Sequence, residues 1–161
     1  MRGGAVAGLV VLAYAAQTSL FLPLTAFGVR PDLVLIVICA AGLALGPARG
    51  AAAGLLAGLF VDVLTGRLVG LGAITKGIAG YAAGWMGRRL FPENALVPAV
   101  IAFAVSVGEG LLYLLGTYVF GVPIPLAAGF AAVVVPGACY NAVVSAALLP
   151  LFSRVLRLAD A

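Results

Sequence analysis

Four polar residues stand inside otherwise apolar stretches and are the ones with chemistry to offer: Asp62, Lys76, Glu109 and Asn141. An ionisable group within hydrocarbon is costly unless it is paired or wetted, so each needs a partner or a purpose. If the chain reverses between Gly66 and Gly70, Asp62 and Lys76 fall at similar depths on adjacent antiparallel helices. The expectation is then a structural ion pair between them. Two other readings stay open: Lys76 extends its stem toward the interface while Asp62 caps the turn, or the two charges lie on an ion or proton path. Glu109, between Gly108 and Gly110, is either a third member of the cluster or an uncharged carboxyl. Asn141 follows Pro136, which should kink its helix and free a carbonyl. It can satisfy that group or a neighbouring backbone, or recognise a partner.

Enzymatic chemistry finds little to work with. The chain has no histidine, which removes Ser-His and Cys-His nucleophiles and the commonest metal ligand. A Ser106 and Lys76 dyad is formally available, but nothing places an oxyanion hole beside it. Asp62 and Glu109 differ in expected depth, which argues against an aspartyl-type pair. Cys39 and Cys139 follow no metal-ligand spacing and read as small core residues. No catalytic residue, metal or cofactor is expected.

The elements that must hold these residues are membrane helices. Of 161 residues, 65% are hydrophobic and 9% are charged, against roughly a quarter charged in an ordinary soluble domain. Lipid-exposed backbone must satisfy its own hydrogen bonds, so the expected fold is all-α, a single polytopic domain over residues 1–161. Apolar runs broken by Gly, Pro and charge place about six spans, at 5–23, 32–45, 50–64, 68–87, 95–119 and 125–152. The second and third fall short of the roughly 20 residues a span needs, so they thin the bilayer or form a re-entrant pair. Arg49 between them favours two true spans, because re-entry would bury its guanidinium in lipid. Ala13-Tyr14-Ala15 mimics a signal-peptide cleavage site, but the further apolar segments favour an uncleaved first span.

Six crossings put Arg2, Arg49, Arg88, Arg89, Arg154 and Arg157 on one side, with Arg30 and Arg67 on the other. By the positive-inside rule both termini are cytoplasmic. The net charge of +4 is scattered over short connections and forms no tract for nucleic acid.

One spacing is unusual. Gly46, Gly50, Gly54 and Gly58 recur at every fourth position, and the register continues through Asp62 to Gly66 and Gly70. On a helix this makes a bare groove along one side, where another helix approaches backbone to backbone. The groove either packs this protein's own bundle or, at Gly50, Gly54 and Gly58, accepts a foreign helix.

The ordered series also resembles a known family. Pro31-Asp32 opens an apolar segment, followed by Gly54-x-x-x-Gly58-x-x-x-Asp62-x-x-x-Gly66, then Leu68-Val69-Gly70-Leu71-Gly72, Gly80-Tyr81, and Asn141 in the last helix. Over nearly the whole chain this resembles the rod shape-determining MreD proteins of bacteria. The resemblance implies a non-enzymatic subunit of the inner membrane that partners the bitopic protein MreC. It further implies a place in the machinery that builds lateral-wall peptidoglycan with a glycosyltransferase and a transpeptidase. Membrane lipid and a second copy of the chain are further candidate partners. Such proteins are also similar in architecture to the substrate-binding subunits of energy-coupling-factor vitamin transporters, which implies the alternative, a vitamin-binding subunit.

Overall fold

The most apolar helix is the one the others surround. In the computed structural model, which describes residues 2–19, 29–66, 68–90, 96–123 and 125–158, the chain is helical from end to end of the described segments apart from short connections. In chain order the helices are α1 (Arg2–Ser19), α2 (Leu33–Leu45), α3 (Pro47–Thr65), α4 (Leu71–Arg89), α5 (Leu96–Val119), α6 (Leu126–Gly129) and α7 (Val135–Leu158). A π-helical turn, Phe130–Val134, joins α6 to α7, so the last three pieces form one rod and the described residues make six. Arg67, the stretch 91–95, the first expected span beyond Ser19, and the side chains of Arg2 and Arg157 lie outside the described residues.

Every residue of α2 from Leu33 to Gly42 is buried. A helix apolar on all sides belongs inside a bundle, and α2 touches α1, α3, α4, α5 and α7. Its 13 residues make a rod of about 20 Å, too short to span alone. Burial among longer neighbours removes the mismatch, since α2 meets protein on all sides. The third segment is longer than expected: α3 starts at Pro47, which occupies the favoured first helical position. Arg49 therefore sits exposed in its first turn. Among the described residues three helical stretches, Pro47–Thr65, Leu96–Val119 and Leu126–Leu156, are long and apolar enough to cross a membrane.

The connections are tight where glycine permits. Gly46 alone links α2 to α3, with φ 93°, and its N–H bonds the Gly42 carbonyl at 2.9 Å. Gly66 ends α3 in the left-handed conformation, φ 62°, where a side chain would be strained.

The glycine seam is occupied from within. A methyl at Gly54 would collide with the Lys76 carbonyl, one at Gly58 with the backbone of Gly72 and Ala73, and one at Gly50 with Gly80 and Gly42. All of these lie on α4 or α2. Of the two readings of the groove at Gly50, Gly54 and Gly58, packing within this protein's own bundle is the one seen: α4 lies in that groove. The reason is the short connection between them, which returns α4 antiparallel against α3 and fills the seam. Glycines of α4 answer those of α3, because Gly80 and Gly84 pack on the backbones of Gly50 and Pro47. Without Cβ atoms the two helices approach at backbone contact, where dispersion replaces the hydrophobic effect as the binding force.

Pro136 is accommodated by the π turn that precedes it. A proline removes one backbone N–H and clashes with the carbonyl four residues earlier, and a wider turn relieves both. Of the two cysteines, Cys39 is buried in α2, whereas Cys139 is exposed on α7 and is not a core residue.

Candidate functional site

The start of α2 is buried in the bundle, and a buried helix start is an electrostatic problem. Its first N–H groups have no intrahelical acceptor. Side chains from three elements supply them. Asp32 caps its own helix, Oδ1 accepting from the Leu35 N–H at 2.9 Å. The Asn141 Oδ1 accepts from the Asp32 N–H at 2.8 Å, and the Gln17 Oε1 accepts from the Leu33 N–H at 3.0 Å. Asn141 is held in turn by donating through Nδ2 to Ser106 Oγ at 3.0 Å.

Asp32 leads into an ionic triad. The Lys76 ammonium, buried on α4, donates to Asp32 Oδ2 at 2.7 Å and to Glu109 Oε1 at 3.0 Å. The Thr75 hydroxyl donates to the same Glu109 oxygen at 3.2 Å. One network therefore ties α1, α2, α4, α5 and α7 together. Its charges are compensated locally: one cation sits between two carboxylates, and the positive end of the α2 dipole faces Asp32. Among the described residues no fully buried side-chain nitrogen or oxygen lacks a partner, the condition under which buried polar groups are tolerated.

The pairing differs from the one the sequence suggests. Asp62 does not pair with Lys76. Its Oδ2 accepts from the Gly70 and Ala73 N–H groups at 2.9 and 3.1 Å, closing the start of α4. The carboxylate fills the space a side chain at Gly72 would need. Free N–H groups and a positive helix end compete for the carboxylate and win, since they lie at the turn itself. Lys76 lies farther along α4 and reaches Asp32 and Glu109. Asp32 is the residue that sequence reasoning missed. Its signal was Pro31-Asp32 before an apolar run, an N-cap pattern that also marks a carboxylate at the mouth of the buried helix.

The geometry also decides the enzymatic alternatives. Ser106 Oγ accepts from Asn141, and Lys76 is engaged by two carboxylates, so the two do not form a nucleophile and base. Asp62 is committed to the α4 backbone and Glu109 to Lys76 and Thr75.

Two results are expected here. Asp62→Ala leaves the Gly70 and Ala73 N–H groups without an acceptor and should cost about 1–2 kcal/mol, the usual worth of a cap. Asp62→Asn keeps an acceptor and should retain most of that stability in thermal unfolding in detergent. Asn141→Leu strands the part-buried Asp32 N–H and should cost about 1–3 kcal/mol. An unchanged melting temperature would show that the α2 start is satisfied some other way.

No curated protein and no solved structure matches the chain, and nothing supports the likeness to vitamin-transporter subunits. The profile of the rod shape-determining protein MreD family matches residues 4–159. That match runs through every helix contributing to the network around Lys76, so the chain belongs to the rod shape-determining protein MreD family.

Proposed function

We propose that this chain is a non-enzymatic scaffold or regulatory subunit of the cell-wall elongation machinery, docking an MreC-like bitopic protein and a peptidoglycan glycosyltransferase and transpeptidase pair. Membership of the MreD family carries a role in rod-shape determination, and that single observation carries the proposal. The interior supports a holding function. Most of its polar side-chain groups bond one another or helix starts, which fixes the relative placement of five helices. A rigid bundle of this kind offers partners a defined surface.

Since the glycine seam is filled by α4, docking falls to outer helix faces. The α4 face bearing Ile74, Ile78, Tyr81 and Trp85 is exposed, and Arg89 lies 4.1 Å over the Trp85 ring at its end. The chain sits in the bacterial inner membrane with six crossings and both termini cytoplasmic, on the side where Arg49, Arg88, Arg89 and Arg154 gather. Affinity purification from native membranes tests the proposal. A bitopic protein and a wall-synthesis enzyme should be recovered with the chain. Recovery of an ATPase pair in their place would refute it.

A further inference from the structure

Next to the ionic triad lies a cavity of about 670 Å³, within the roughly 300–1,000 Å³ range of small-molecule sites. It reaches Arg30 and Thr65, residues flanking the helix ends opposite the Arg88-Arg89 side. Its lining is of two kinds: Asp32, Lys76, Glu109 and Asn141 are polar, while Leu114, Val133 and Val134 are apolar. Val133 and Val134 belong to the π-helical turn, a distortion that recurs at functional sites because it re-aims side chains.

Two charged groups in this lining have capacity left over. Glu109 engages Thr75 and Lys76 through Oε1 alone. Among the described residues its Oε2 makes no hydrogen bond, and since no fully buried polar side-chain atom there is unpartnered, that oxygen is not fully enclosed and can meet a ligand in the cavity. Arg30 is exposed, lines the same cavity, and forms no ion pair among the described residues. A lone anion would meet Glu109 and Asp32, and a lone cation would meet Arg30 and Lys76. A molecule carrying both charges meets each with its opposite.

We propose that the cavity binds a zwitterion of the phosphoethanolamine type, its ammonium on Glu109 Oε2 and its phosphate on the Arg30 guanidinium. Arg recognises phosphate through paired N–H donors. The apolar lining of Leu114, Val133 and Val134 takes the chain of an amphiphile bearing that head. This site is independent of the partner docking proposed above, and it holds whether or not the docking partners are recovered.

Native mass spectrometry of the full-length protein, offered equimolar phosphatidylethanolamine and phosphatidylglycerol, tests it. The wild type should retain phosphatidylethanolamine in preference. Glu109→Gln should lower that preference roughly tenfold, the equivalent of one lost charge-assisted hydrogen bond. Arg30→Gln, at an exposed position that leaves the triad intact, should weaken retention of phosphatidylethanolamine by a similar factor. Displacement of the lipid by soluble phosphoethanolamine would assign the site to the free zwitterion. Failure to displace would assign it to the lipid, and either supports the charge pairing. Equal retention of the two lipids by the wild type overturns the proposal. If Glu109→Gln does not fold, unchanged retention in Arg30→Gln overturns it alone.

Discussion

Replacing Lys76 with methionine should destabilise the bundle by up to about 3–5 kcal/mol, the cost of breaking a buried ion pair by removing one partner, reduced by the partial exposure of Asp32. The magnitude follows from what is left behind. Asp32 and Glu109 would be left near each other with no cation between them, a like-charge contact in a partly desolvated site. The favourable part of the triad is smaller than this penalty, because three groups were desolvated to build it. A second variant separates the two effects. Lys76→Met combined with Asp32→Asn and Glu109→Gln removes every charge at once and should recover most of the lost stability. Asn at position 32 still caps α2. Thermal unfolding of the purified protein in detergent reads both, and the coupling between the substitutions measures the triad directly. If Lys76→Met melts with the wild type, the triad does not hold the fold.

Gly54→Leu should be at least as severe. Overpacking a tight core costs about 1–3 kcal/mol and sometimes more, and here the obstruction is backbone. The first carbon of any side chain at 54 lands on the Lys76 carbonyl, which no rotamer change can move. Helices α3 and α4 must separate along their whole seam, and Lys76 would be drawn away from its two carboxylates. The matched control is Ala52→Leu, exposed on the same helix, which should change little. The variant should therefore lose melting temperature and yield together. A Gly54→Leu protein as stable as wild type that fails to co-purify its partner would restore the seam to an intermolecular role.

These expected results rest on the difference between a pattern and a pairing. The four-residue spacing of Gly50, Gly54 and Gly58 announces a close helix contact, but it is silent on whose helix arrives. The answer is set by the connection through Gly66 and Gly70, both at positive φ, which folds α4 straight back onto α3. Similarly, Lys76 had to find a carboxylate, and Asp62 was the nearest along the chain. Proximity in sequence lost to the helix start at Gly70 to Ala73, which offers two N–H groups to the same carboxylate.

What the amino-acid sequence determined by itself was the solvent and the elements. A chain that is 65% hydrophobic and 9% charged cannot clothe itself in water, and a backbone in lipid must close its hydrogen bonds within helices. Helix ends could be read from Pro, Gly and Asp because those residues act on local backbone geometry. The tertiary structure alone decided which buried groups meet. Lys76 joins Asp32, 44 residues away, and Glu109, 33 residues away, and Asn141 reaches back across 109 residues to the Asp32 N–H. Such contacts depend on which helix faces are turned toward one another. That is settled by packing the whole bundle around α2, and no stretch of sequence contains it.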